Sequence, residues 1–276
     1  MNSSHLVVTK ANGRQEPFRP EKLEASLIKS GADKDTVFDI VEHITGEIEN
    51  GMETSQIYKH AFFLLEKKQK SVALRYSLRR AVMDLGPSGF PFEKFVAAIL
   101  QEKGFETKTD QVLLGGCVEH EVDIVAWNEN KLIVAEAKFH NELGTRTDLK
   151  VALYVKARHD DLKENIFTYG KERKIDEGWL ITNTKFTSTA IHYAECKGIT
   201  FIGWNYPEIG NLQDMIADSG LHPLTCLESL SSTQKKNLLT QGVVLCKTLK
   251  TDPSFLKSLG LPDDKIAQIH EEIEIL

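Results

Sequence analysis

Cysteine is scarce in this chain. The four residues Cys117, Cys196, Cys226 and Cys246 are scattered, and no two stand in a C-x-x-C pair. That spacing argues against both a thiolate zinc site and a disulfide framework. No apolar run approaches the ~18 residues that cross a membrane, and the opening MNSSHLVVTKANGRQ lacks the apolar stretch of a secretory leader. Positive charge is not in excess: 34 Lys and Arg against 40 Asp and Glu leave a net charge of -6. A globally basic nucleic-acid coat is therefore excluded, while a local basic groove stays open. There is no long repeat, no low-complexity tract and no G-x-x-x-x-G-K-[ST] loop, so hydrolysis of ATP on a P-loop is not indicated. The expectation is a cytoplasmic chain in a reducing compartment, with no membrane partner.

What is present is ordinary globular material. With 276 residues, 41% hydrophobic and 27% charged, the chain has room for two or three domains. Residues 1–86 read as a short strand, HLVVTK, a turn at ANGR and four helices. Pro20 suits a helix start, Gly31 and Gly51 suit helix ends, and Thr54 or Ser55 suits a cap. GPSGFPF, residues 86–92, is rich in helix breakers and reads as a linker. Residues 87–207 change character: helix, strands, helix, strand, helix, strand, an α/β order. Residues 208–276 read as short helices.

One stretch, HEVDIVAWNENKLIVAEAKFH, carries charge where charge is costly. VDIVAW and KLIVAEAKF look like buried strands, yet the first holds Asp123 and the second holds Glu136 and Lys138. Residues i and i+2 of a strand share a face, so Glu136 and Lys138 project together, roughly 7 Å apart at their Cα atoms. A short hairpin through NEN would bring Asp123 beside them. Two carboxylates and an ammonium on one face suit Mg²⁺ and the hydrolysis of a phosphodiester. In that reading Lys138 orients or deprotonates the attacking water, or stabilises developing charge. The alternative is a structural ion pair at a strand end.

The run FPFEKFVAAILQEKGFE, then VDIVA, then IVAEAKF resembles the Mrr-like branch of the PD-(D/E)xK restriction-endonuclease fold. GWLITNTKFTSTAIHYAECKGITFIGW resembles the strand–helix–strand that completes it. The resemblance implies a mixed central sheet flanked by helices. It places Glu93 as the acid on the first helix, Asp123 and Glu136 as metal ligands, and Lys138 as the catalytic lysine. Many Mrr-like members have Gln where this chain has Glu136. His120 is an auxiliary candidate that could meet phosphate or water, and a His–carboxylate transition-metal site is a further option. For His140 an ordinary hydrogen-bonding role is favoured. Arg146, Lys150, Lys156, Arg158 and Lys163 could follow a nucleic-acid backbone, but Asp148, Asp160, Asp161 and Glu164 are interleaved, as on a solvated helix face.

VVTKANGRQEPFRPEKLEASL together with ETSQIYKHAFFLL resembles an ATP-cone, the nucleotide-binding regulatory domain at the start of many ribonucleotide reductases. The resemblance implies ATP or dATP as an allosteric ligand, at Val8, Lys10, Gly13, Glu16, Lys22, Thr54 and Ile57. Where that family often has Lys-Arg, this chain has Lys10-Ala11. The tail resembles helix-hairpin-helix modules, best around SLGLPDDK, where Gly260 is present and Pro262 replaces the second glycine. Pro has no amide hydrogen to give a phosphate. Contact with DNA and contact with protein both fit this tail.

The expectation is thus a multidomain chain: a mainly helical ATP-cone, an α/β restriction-endonuclease-like core, and a small all-α tail. The function implied is a Mg²⁺-dependent DNA endonuclease regulated by ATP or dATP. Its rival is a non-cleaving DNA-binding or nucleotide-sensing protein on a nuclease fold. Whether the chain is a homo-oligomer is left open.

Overall fold

A computed structural model describes residues 6–10, 13–142 and 144–276. Ala11, where the chain departs from the ATP-cone pattern, lies outside the described residues, as does Asn12.

The N-terminal part begins with β1 (Val7–Thr9) antiparallel to β2 (Gln15–Pro17), in a register that sets Val8 opposite Glu16. Four helices follow: α1 (Pro20–Lys29), α2 (Lys34–Glu47), α3 (Thr54–Lys68) and α4 (Lys70–Met83). Pro20 occupies the first turn of α1, where its missing amide hydrogen costs nothing. Asp33 caps α2 by accepting from Thr36 N at 2.8 Å. The cap expected at Thr54 or Ser55 falls one residue earlier, on Glu53, whose backbone N–H donates to Gln56 Oε1 at 3.0 Å. Leu23, Leu27, Ile40, Ile44, Ile57, Ala61 and Leu65 bury one face of each of α1, α2 and α3 in a common core that also holds Val8.

The second part runs α5 (Phe90–Glu102), β3 (Glu106–Leu114), β4 (Glu119–Trp127), β5 (Leu132–Lys138), β6 (Arg146–Thr147) and α6 (Leu149–Leu162). It continues with β7 (Phe167–Tyr169), β8 (Lys171–Arg173), β9 (Glu177–Thr182), β10 (Lys185–Phe186), α7 (Ser188–Lys197) and β11 (Thr200–Ile202). A five-stranded sheet has the order β11-β9-β5-β4-β3. Strands β3, β4 and β5 are antiparallel meanders, while β5, β9 and β11 are parallel and joined by helical crossovers. The breaker-rich segment read as a linker extends only to Gly89, because Phe90–Phe92 already form the first turn of α5. Two small pairings were not legible in the sequence: the β7–β8 hairpin and the parallel β6–β10 ribbon.

Strand alternation divides the core. Ile124, Ala126, Ile133, Ala135 and Ala137 face α5, whose Phe92 and Phe95 are fully buried. Burying each ring stabilises the fold by about 1.5–3 kcal/mol. On the other face, Ala152 and Val155 of α6 and Ala190 and Ala194 of α7 pack with Leu180 and Phe201.

The tail comprises α8 (Leu212–Ser219), a single 3-10 turn at Leu224–Cys226, α9 (Ser232–Thr240), α10 (Cys246–Thr251), α11 (Ser254–Ser258) and α12 (Asp263–Ile275). Its Leu224, Leu238, Leu249 and Ile269 join the α5-side core, as do Leu78 and Val82 of α4. Thr225 Oγ1 donates to the carbonyl of Ala81. Buried Glu272 accepts the backbone N–H groups of Glu228 and Ser229, which satisfies an acid that burial would otherwise make costly. No helix among the described residues is long and apolar enough to cross a membrane.

Candidate active site

The hairpin through Asn128 forms as its sequence suggests. Asn128 Oδ1 accepts from Asn130 N at 2.9 Å and Lys131 N at 3.1 Å, which tightens the turn and sets the register Ile124↔Ala135. One step further the β4–β5 ladder stops. In its place Asp123 Oδ2 accepts the backbone N–H of Ala137 at 2.7 Å. The ladder with β3 is interrupted at the same level, between Thr109↔Ile124 and Gln111↔Val122. There Asp110 takes a left-handed backbone with φ 53, a conformation Asp tolerates better than most residues. The acid in the first strand therefore sits in a fork of the sheet, its carboxylate replacing a missing backbone acceptor.

Glu136 and Lys138 lie on the face opposite Ala135 and Ala137, as the two-residue period requires. Lys138, at the exposed end of β5, has no ion pair among the described residues. The chain just beyond it is pinned by buried Asn183, which accepts from His140 N at 2.9 Å and donates to His140 O at 2.8 Å. Glu93 projects from the first turn of α5, half-buried beside Gly89.

The electrostatics mark the acids as one group. Burial, then the charge of Glu136, pushes Asp123 up to about 6, against the pull of the Ala137 N–H and Arg158. Burial, then the charges of Asp123, Asp110, Glu136 and Glu121, pushes Glu93 up to about 7. Glu136 itself is ion-paired to Arg158 of α6, which is held in turn by Tyr154 Oη, and both partners of the pair are mostly buried. Acids that repel one another in a partly dry fork suit a hard divalent cation, because a 2+ charge reverses the penalty that raises their pKa values. The donors are carboxylate oxygens, the set Mg²⁺ prefers.

Sequence reasoning missed Asp110 and Arg158 as members of this site. Asp110 left one signal, an acid inside the strand-like ETKTDQ. Arg158 was visible only as part of a basic run. In the structure that run divides: Lys156 and Lys163 are taken up by Asp160, and Arg158 turns inward. His120 is directed to Asp161, its Nε2 standing 2.8 Å from Oδ2. Asp161 also accepts from Cys117 N at 2.9 Å and Val118 N at 3.3 Å; the bonds with His120 first, then with the Cys117 thiol and these amides, hold its carboxyl at about 2. His120 thus helps tie the β3–β4 turn to α6. His140 Nε2 meets Thr147 Oγ1 at 2.9 Å, and burial, then Lys138, holds its pKa below the usual histidine range.

In the N-terminal part, Glu16 bridges Lys10 at 3.0 Å and Lys22 at 2.8 Å, and these lysines depress its carboxyl to about 2. Gly13 has φ 76, which a side chain would strain. Thr54 opens α3 beside β1, where Thr9 bridges Glu53. Val8 and Ile57 are buried in the N-terminal core.

A mixed five-stranded sheet with an acid-lined fork beside a lysine defines a restriction-endonuclease-like domain. Residues 87–206 match the restriction endonuclease family of the Mrr catalytic type, and residues 222–276 match the family described as AF1548-like, C-terminal. An uncharacterized protein of Archaeoglobus fulgidus is 35% identical over 178 residues, 64% of this chain and 97% of the relative. The crystal structure of a protein of unknown function, AF1548, is similar with a TM-score of 0.56 and 33% identity, over 68% of this chain and 97% of that one. The chain belongs to the AF1548-like family. A weaker likeness, with a TM-score of 0.35 and 13% identity over 75% of this chain and 64% of the other, is to Can2 from Sulfobacillus thermosulfidooxidans in complex with cyclic tetra-adenylate.

Proposed function

We propose that this protein is a Mg²⁺-dependent DNA endonuclease whose N-terminal domain binds ATP or dATP as a regulator. The observation that carries the catalytic reading is the fork at Asp123, whose carboxylate accepts the Ala137 N–H where the ladder stops: burial, then neighbouring acids, raises Asp123 and Glu93, and Lys138 nearby on β5 has no ion pair among the described residues. Asp123 and Glu136 would hold the metal, with Glu93 supporting it directly or through water. Bound there, Mg²⁺ would supply Lewis-acid polarisation of the scissile phosphate. Lys138, on a strand whose following backbone Asn183 pins at His140, orients the attacking water or meets the charge that develops in the transition state. Plasmid, branched and single-stranded DNA incubated with Mg²⁺ test the reading. Cleavage that chelation and Asp123→Asn both abolish supports it, and no cleavage of any substrate overturns it.

The Glu136–Arg158 ion pair favours a second reading, a non-cleaving DNA-binding or nucleotide-sensing protein on a nuclease fold. If that pair is a lock on a working site, Arg158→Ala changes the rate of cleavage. If the site is retired, Arg158→Ala leaves it inert.

The nucleotide reading rests on Lys10 and Lys22 and on what stands near them. Partial burial, then the fields of Arg79, Arg146, Lys10 and Lys22, lowers the pKa of Lys185. Cations of the N-terminal part and of the nuclease domain thus crowd one junction, which a triphosphate would relieve. Thr54 and Ile57 would lie on the nucleoside side. The hairpin at Gly260 would give the tail a contact with DNA phosphate. Calorimetry of ATP against wild type and Lys22→Ala tests the nucleotide site, and absence of binding at millimolar ATP removes it.

A further inference from the structure

In the N-terminal part, whose core is separate from that beneath the fork, α2 and α3 bring together His43, Glu47 and His60. One ligand atom from each lies within 4.8 Å of the others, and this is the only such group of three or more His, Cys, Asp or Glu among the described residues. His43 and Glu47 are four residues apart on α2, so one turn of helix stacks them on the same face. His60 reaches the same point from α3, its ring edge-on to that of His43 with centroids 5.0 Å apart.

The distances are informative. Glu47 Oε1 is 3.4 Å from His43 Nε2, and Glu47 Oε2 is 3.6 Å from His60 Nδ1. Both exceed the ~2.7–3.2 Å of an N–H···O hydrogen bond. An ordinary surface carboxylate would close on one imidazole. This one stands between two and closes on neither. Nitrogen and oxygen donors about 2.0–2.1 Å from a tetrahedral zinc ion lie about 3.3–3.4 Å from one another. The His43 Nε2–Glu47 Oε1 spacing falls near that edge length, and His60 Nδ1 stands close to the other oxygen of the same carboxylate, so a small closing movement of the side chains would bring all three donors to one ion.

We propose that His43, Glu47 and His60 form a zinc-type site that clamps α2 to α3, with a water in the fourth position. Two imidazoles and one carboxylate select a borderline divalent ion such as Zn²⁺ over Mg²⁺, which prefers oxygen alone. His43 and Glu47 are exposed and His60 is a third exposed, so an ion enters without unfolding. The three side chains are exposed or partly exposed on two neighbouring helices, which suits a structural or regulatory ion. Its anchor in α3 also bears Thr54 and Ile57, so an ion here would stiffen the helix that flanks the β1–β2 hairpin. The proposal stands independently of the nuclease and nucleotide readings.

The test uses the full chain stripped of metal by chelator dialysis, titrated with Zn²⁺ alone in excess Mg²⁺, and separately with Co²⁺. One equivalent of Zn²⁺ should bind and raise Tm, and Co²⁺ should show tetrahedral d–d bands without thiolate charge transfer. His43→Gln and His60→Gln keep size and polarity on an exposed face. Each should weaken binding at least about tenfold, since even outer partners of metal ligands cost that much. Both should also lose the Tm rise, while Asp123→Asn keeps it. Unchanged affinity in both histidine variants overturns the proposal, as does a thiolate band, which would move the metal to cysteine. Absence of Zn²⁺ binding in the wild-type chain overturns it as well. Should either variant fail to fold, Glu47→Gln in the intact histidine background decides by the same measurements.

Discussion

Asp123→Asn should make the metal-free protein more stable while abolishing cleavage. The side chain sits in the β4–β5 fork and accepts the Ala137 N–H at 2.7 Å. Asn keeps a carbonyl oxygen for that bond and removes the charge. The cost of that charge can be read from the pKa. Asp123 rises from 3.8 to about 6, so the folded chain holds this proton more tightly than the unfolded chain does. Between those two values the folded state binds more protons, and stability falls as pH rises. Below about 4 the penalty is absent, and above about 7 it is constant. Its full size is about 3 kcal/mol. For a chain of this length that corresponds to roughly 6–12 °C in Tm. Glu93 should gain as well, because part of its rise to about 7 comes from Asp123. Thermal unfolding of wild type and variant, with chelator, at pH 4 and pH 8 makes the measurement. The variant should melt higher at pH 8, and the gap should close at pH 4. Mg²⁺ should raise the Tm of wild type only. A variant that melts lower at pH 8, or a gap that does not shrink in acid, refutes the account of the fork.

Lys138→Ala should remove cleavage and leave folding and DNA affinity nearly intact, because its proposed role lies in the transition state; parallel loss of binding, measured by fluorescence anisotropy, would make it a docking residue. Mg²⁺ affinity should fall about 20-fold from pH 8 to pH 6, the result of displacing protons from groups near 7 and 6, and a flat calorimetric profile would contradict the acid cluster. Asp161→Ala should loosen the β3–β4 turn by removing the acceptor of the Cys117 and Val118 amides and the partner of His120. Hydrogen exchange should then speed up at that turn, and protection equal to wild type would show that the turn is held by other bonds.

How much of this was legible depended on whether the signal was local. The E-x-K strand, its hairpin and its partner strand are local, since a period of two and a turn at Asn128 fix which side chains share a face. Helix α5 was legible because its apolar residues recur at helical spacing and Gly104 ends it. The fork itself was not, because it arises from two ladders stopping at one level, and Asp110 could enter only through its left-handed backbone. Arg158 was hidden for a similar reason: α6 returns across the sheet, so its partner Glu136 lies 22 residues away in the chain. The cap on α3 went to Glu53 because Gln56 completes a reciprocal pair that Thr54 and Ser55 cannot make. The zinc-type triad was missed because His60 lies on a different helix from His43 and Glu47.

If the proposed nucleotide site is real, the junction between the N-terminal part and the restriction-endonuclease-like domain would be the route by which a nucleotide reaches the fork. Lys185 and Arg146 face one another in the parallel β6–β10 ribbon. That ribbon is fastened to the end of β9, where Thr147 Oγ1 donates to Thr182 Oγ1 at 3.3 Å. Thr182 is in turn the register partner of Lys138. A phosphate drawn in by Lys10 and Lys22 would neutralise cations whose repulsion, after burial, helps to lower the pKa of Lys185. It would settle the ribbon that is fastened beside Lys138 through Thr182. Such coupling requires that ATP bind two arrangements of the junction unequally, and 1–3 kcal/mol of difference would change cleavage by about 5- to 150-fold. Lys185→Ala should therefore bring the ratio of cleavage rates with and without ATP close to one. In the same variant the proposed phosphate contacts at Lys10 and Lys22 are untouched, so calorimetry should still detect ATP. A ratio equal to that of wild type would place the coupling elsewhere, through α4 and the core it shares with α5.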